Sequence, residues 1–131
     1  MGMQRLGSLL MVLFLGLTPA CKHSGHGRSS AGPTVSVMQT QFGIASIYQD
    51  RRTASGERSS ATACTAAHKV WPMGSRVRVT HLGTGRQVIV RINDRGPFTR
   101  GRVIDLTPFA AAEIGLTRQQ GIARVKIERL K

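Results

Sequence analysis

The hydrophobic pattern changes character along the chain. Behind Arg5 an unbroken apolar run, Leu9 to Leu17, ends in small residues up to Ala20. A charged start, an apolar middle and a small-residue end form a secretory signal layout, expected over residues 1–20. The run falls well short of the roughly 20 apolar residues a spanning helix needs. Residues 21–41 then lose periodicity and, from Lys22 to Thr34, take the Gly/Ser/Pro composition of a flexible tether.

Period-two alternation dominates the rest and predicts short strands at 43–48, 76–82, 87–92, 102–106 and 123–128. Gly83-Thr84-Gly85-Arg86 reads as a hairpin turn between the second and third of these. One helix is predicted, with Thr107 as N-cap, Pro108 in the first turn, a body over 109–114 and a stop at Gly115. Residues 42–131, about ninety, suffice for one core and not for two. The fold class is therefore mainly β with one or two short helices, in a closed barrel, because strands this short need closure to hide their edges.

Charge narrows the partners. The formal charge is +13, and removing residues 1–20 takes away only Arg5, leaving 18 basic against 6 acidic residues, +12. Such a surface seeks polyanions, but one Trp, one Tyr and four Phe are too few for a base-stacking platform, so nucleic acid is not expected. An exported protein meets anionic headgroups and cell-wall carboxylates first. Two cysteines, Cys21 and Cys64, exclude a disulfide framework, and Cys64, in a run of small residues, is expected to be a buried structural cysteine and not a nucleophile. His23 and His26 lie in the tether without further ligands and are assigned no metal role.

The segment Leu17-Thr18-Pro19-Ala20-Cys21 resembles the lipobox of bacterial lipoproteins, although leucine sits one place further out than usual. That resemblance implies a lipidated Cys21 and a cell-envelope location, with Lys22 in place of an aspartate pointing to the outer membrane, facing the periplasm.

Three turn-rich segments interrupt the strands: 53–57 with Glu57, 65–69 with His68, and 93–98 with Asp94. Asp94 directly follows a strand, with Gly96 and Pro97 behind it, and fixed placement is what an acid catalyst requires. Asp94 as a turn cap, Glu57 as a solvated carboxylate and His68 as a core hydrogen-bonder are the competing readings. Asp105 reads as a structural acid paired with backbone amides or an arginine, and Trp71 as a half-buried core aromatic before a sugar platform.

Six ordered blocks carry a wider resemblance: Gly-Ile-Ala-Ser-Ile-Tyr (43–48), Thr-Ala-Ser-Gly-Glu (53–57), Thr-Ala-Ala-His-Lys (65–69), Pro-Met-Gly-Ser-Arg-Val-Arg-Val-Thr (72–80), Asn-Asp-Arg-Gly-Pro-Phe (93–98) and Arg-Val-Ile-Asp-Leu-Thr (102–107). Together they closely resemble the rare lipoprotein A (RlpA) family. The resemblance implies a six-stranded double-psi β-barrel, related to barwin and expansin domains. It also implies a lytic transglycosylase acting on peptidoglycan, preferring glycan freed of stem peptides and leaving 1,6-anhydro ends. On the matching motifs, Asp94, Glu57 and His68 become the catalytic set, Asp94 being the acid, and Tyr48, Thr53, Asn93 and Arg95 the glycan contacts. No cofactor or metal is called for, and a monomer is expected.

One acid suffices where the sugar's own 6-hydroxyl attacks; a hydrolase would use a second carboxylate, and Glu57 is the available one. The chain departs from the family at Ile47-Tyr48-Gln49, where Trp-Tyr-Gly is usual. Two other function classes stand beside the enzyme: an expansin-like module that binds the wall without cutting, and a basic structural lipoprotein bridging membrane and wall.

Overall fold

The structure, a computed structural model, describes residues 34–48, 53–58 and 60–131. The expected signal segment, Cys21 and most of the tether lie outside these residues. Six strands run β1 (Val37–Ile47), β2 (Thr65–Ala67), β3 (Arg76–His81), β4 (Gln87–Asp94), β5 (Arg102–Leu106) and β6 (Ile122–Leu130), with one helix, α1 (Pro108–Glu113), before β6. They close into a barrel in the order β1-β5-β2-β4-β3-β6. Two of the neighbours, β1 with β5 and β2 with β4, are parallel, and the rest are antiparallel. This is the closed six-stranded architecture expected.

Alternation sorts the side chains. Val77 and Val79 of β3, Val88, Val90 and Ile92 of β4, Ile104 and Leu106 of β5, and Val125 and Ile127 of β6 all point inward and are buried. β-Branched residues suit such pleated, packed positions. Ala110, Ala111 and Ile114 of the α1 region complete this core, as does Leu116.

Three boundaries differ from the sequence expectation. β1 begins at Val37, not at residue 43, so residues 37–41 belong to the barrel and not to a tether. Its outer half is largely exposed and lacks alternation; pairing with β6, from Val37 opposite Leu130 to Ser46 opposite Ile122, makes it a strand. Thr65–Ala67, read as a turn, is the fully buried strand β2, held between β4 and β5. Asn93 and Asp94, also assigned to a turn, are the last residues of β4.

The helix ends as expected. Gly115 adopts φ +78°, its N–H reaches the carbonyl of Ala112 at 3.0 Å, and that of Leu116 reaches Ala111 at 2.9 Å, the paired bonds of a glycine-terminated helix. Thr107 occupies the N-cap position but its side chain makes no cap bond. Its hydroxyl donates instead to the carbonyl of Ala63, tying the helix start to the segment before β2.

Gly43 is required by packing. A methyl group there would overlap the Val103 side chain and stand 3.2 Å from the Gly101 carbonyl oxygen. Gly43→Ala is expected to destabilise the barrel by ~1–3 kcal/mol, the usual cost of overpacking, read as a lower thermal midpoint. An unchanged midpoint would contradict this close approach of β1 to β5.

Candidate functional site

Asp94 sits where β4 ends, and donors from three segments fix its carboxylate. Oδ1 accepts the Ala54 N–H at 2.6 Å and the Arg95 N–H at 2.8 Å. Oδ2 accepts the hydroxyl of Tyr48, the residue immediately after β1. The side chain is 8% exposed, yet it lies outside the hydrophobic cluster, at the rim where the 53–57 loop meets the barrel. With two donors on one oxygen and one on the other, rotation is blocked and a lone pair of Oδ2 is left for a further partner.

The 53–57 loop is stapled to the same strand end. Ser55 N–H donates to the Asn93 carbonyl at 3.2 Å, and the Thr53 hydroxyl donates to the Glu57 carbonyl at 2.9 Å. Gly56, at φ +84°, makes the tight turn between them. Glu57 is solvent-exposed and receives a two-pronged pair of bonds from Arg91, at 2.9 and 2.8 Å, plus the Asn93 amide at 3.3 Å. Those bonds, Arg91 first and Asn93 second, hold its carboxyl below the usual range. Glu57 is thus an ionised, committed carboxylate at the edge of the site.

His68 follows β2 and is joined to the acid through the backbone, its N–H donating to the Asp94 carbonyl at 3.1 Å. Its ring is a different matter. Nδ1 accepts the N–H groups of Val70 at 3.2 Å and Trp71 at 3.0 Å, so the ring hydrogen is on Nε2, which donates to Gln41 at 3.1 Å. The ring stacks on Trp71, centroids 4.1 Å apart. At 2% exposure it does not line a groove, a correction to the sequence expectation: its two nitrogens and one face are engaged in holding the 68–71 turn.

Burial, and then the charges of Arg95 and Lys69, push the imidazole down from 6.5 to about 4. The folded state therefore resists a proton that the unfolded chain accepts. Stability from this group is present above about pH 6.5 and is lost as pH falls toward about 4. Denaturant midpoints are expected to drop between about pH 7 and pH 4.5 more steeply in the wild type than in His68→Gln. Parallel curves would show that the ring is not held neutral by the fold.

Arg95 turns its guanidinium onto the same turn, donating to the carbonyls of Trp71 at 2.7 Å and His68 at 3.2 Å. Tyr48, Thr53 and Asn93, expected as glycan contacts, are buried around Asp94. The structure therefore brings Tyr48, Thr53, Glu57, Asn93, Asp94 and Arg95 to one end of the barrel. Asp105 is structural as expected, accepting the Ser46 hydroxyl from the neighbouring strand. Trp71 is fully buried, beyond the half-burial expected. Cys64 is only half-buried, packs against the core and is not a free thiol, so it offers no nucleophile.

Sequence reasoning did not single out Phe98. It is 83% exposed four residues beyond Asp94, its ring 3.6 Å from where a Cβ on Gly96 would stand. An aromatic directly after a turn-rich, acid-bearing block was the available signal.

The model of a family described as lytic transglycolase matches residues 40–127. Among individual proteins, the chain is 52% identical over 90 residues to "Endolytic peptidoglycan transglycosylase RlpA" of Pasteurella multocida, spanning 66% of this chain and 30% of that one. The proteins of that name from Neisseria meningitidis and Campylobacter jejuni are 50% identical over 95 residues and 42% over 107, covering 70% and 79% of this chain. Across the curated relatives the aligned region spans from 24% to 39% of their own length. The Streptomyces papain inhibitor has a similar fold, with TM-score 0.58 at 21% identity, covering 74% of this chain and 99% of that one.

Proposed function

Since the chain belongs to the lytic transglycolase family, as an RlpA-like double-psi β-barrel, we propose that it cleaves the glycan strands of peptidoglycan with Asp94 as the proton-transferring group. One observation carries this reading: the Asp94 carboxyl is held at the β4 terminus by Tyr48, Ala54 and Arg95, with a lone pair to spare. In the reaction Asp94 protonates the bridging oxygen as the glycosidic bond breaks. The sugar's 6-hydroxyl then bonds to the anomeric carbon and returns its proton to Asp94, leaving a 1,6-anhydro end.

Glu57 supports this route over hydrolysis. A second carboxylate acting on water has to be available as a base, whereas both oxygens of Glu57 are engaged by Arg91. Its charge serves as a fixed negative edge that favours a cationic sugar centre. His68 acts by position: it holds the turn that braces the Asp94 backbone. Thr53, Asn93 and Arg95 set the loops that frame the acid, and Phe98 offers a face for a sugar ring.

Incubating the purified protein with sacculi freed of stem peptides tests this reading. Soluble glycan fragments are the expected outcome. The second reading, a module that binds the wall without cutting, draws on the 8% exposure of Asp94. Sedimentation of the protein with sacculi and no soluble product would favour it, and neither release nor sedimentation would end both.

We infer further that Cys21 is the site of a lipid anchor holding the domain at the outer membrane. Metabolic labelling with a fatty-acid analogue should mark the wild type and not Cys21→Ala. A lipid on Cys21 and a bond between the chain's two sulfurs exclude each other. A mature protein whose non-reduced mass shows Cys21 linked to Cys64 would therefore refute the anchor.

A further inference from the structure

Beside Tyr48 the surface opens into two adjoining hollows. A small one, about 110 Å³, is lined by Ile47, Tyr48, Arg118 and Gly121. The larger, about 430 Å³, has Ile47, Pro108, Ala112 and Leu116 among its walls and carries Arg86 and Arg118. The two share Ile47 and Arg118, so the cleft starts one residue from the tyrosine that bonds Asp94. Its volume falls in the roughly 300–1,000 Å³ range of sites that enclose a small molecule or a sugar unit.

Its chemistry is one-sided. The walls supply two guanidinium groups and no carboxylate. Arg78 and Arg91 pair with Glu128 and Glu57, whereas among the described residues Arg86 and Arg118 pair with no acid. Arg86 is also held in place: its Nη1 lies 3.4 Å from the position of a Cβ on Gly115, so the glycine that ends α1 makes room for the guanidinium. Unpaired arginines above an apolar floor match a ligand with a carboxylate beside a hydrocarbon face.

We propose that this cleft is a subsite for the free lactyl carboxylate of a muramoyl residue, adjacent to the bond being cut. The inference rests on the proposed action on glycan strands. In glycan freed of stem peptides each muramoyl lactyl group ends in a carboxylate with a methyl beside it. An attached peptide converts that carboxylate to an amide, which removes the charge the arginines answer and adds bulk at the cleft. The subsite thereby selects peptide-free strands by charge.

Binding to the full-length Asp94→Asn protein, which separates recognition from cutting, tests this with three glycans of equal length. One has free lactyl carboxylates, one has them as primary carboxamides, and one retains stem peptides. The free carboxylate form is expected to bind about tenfold or more tighter than the carboxamide, from charge-assisted bonds lost in the amide. Adding Arg86→Gln and Arg118→Gln should erase that difference while leaving carboxamide binding unchanged.

Equal affinity for carboxylate and carboxamide, undiminished selectivity in the double glutamine variant, or no binding of any of them overturns the subsite. Peptide-bearing glycan binding as tightly as the free form would place the recognised carboxylate on the peptide and overturn it as well. Selective binding by a protein that never releases fragments would keep the subsite and reject the cleavage reading. Release without selectivity would do the reverse.

Discussion

Asp94→Asn is expected to lower the rate of glycan release by about 10²–10⁴-fold, the range a positioned acid–base group contributes, with the thermal midpoint close to that of the wild type. The reason the fold survives is local. An asparagine can keep its oxygen on the Ala54 and Arg95 N–H groups. Its amide then faces the Tyr48 hydroxyl, which can accept as readily as donate. All three contacts persist, but the group can no longer carry the proton. Asp94→Ala would instead strand those donors, at a cost of about 1–3 kcal/mol for each one left buried and unmet. An unfolded Asp94→Asn protein would identify Asp94 as structural, and a folded variant of full activity would remove it from the chemistry.

Trp71→Ala carries the largest expected stability loss, ~3–5 kcal/mol, for deleting a buried aromatic. Trp71 is 2% exposed, stacks on His68 at an interplanar angle of 11°, and through its backbone joins His68 Nδ1 and Arg95. Since small domains rest on about 5–15 kcal/mol, this is a large fraction of the whole. Urea unfolding followed by far-ultraviolet circular dichroism measures it, because Trp71 is the chain's one tryptophan and its fluorescence disappears with it. Trp71→Phe, which retains a ring for the stack, is expected to lose less. Weaker glycan binding at unchanged stability would make Trp71 a sugar platform after all.

The strands with strict alternation were legible because one face of each meets the core. β3, β5 and most of β4 lie where the pattern placed them, and so does the glycine stop of α1. β2 was not legible: three small residues buried on both sides have no alternation, and only pairing with β4 and β5 makes them a strand. The outer half of β1 was hidden for the opposite reason, since Val37, Met38 and Phe42 remain exposed and gain their order from β6.

The candidate site was legible as residue types and not as geometry. Glu57, His68 and Asp94 stand out as the polar members of turn-rich blocks. Their different fates depend on partners far away in sequence: Arg91 for Glu57, Gln41 and Trp71 for His68, Tyr48 for Asp94. No local pattern encodes that His68 is turned into a packed corner while Asp94 stays at the rim. Arg86 and Arg118 look like any surface arginines until the fold sets them over one cleft.

The most direct measurement is the mass of the chain ends that the purified protein generates from peptide-free glycan. A single carboxyl returning its proton through the 6-hydroxyl predicts ends lighter by one water than those of hydrolysis, appearing with the wild type and failing to appear with Asp94→Asn. Hydrated ends from the wild type, or anhydro ends formed equally fast by the variant, would contradict it.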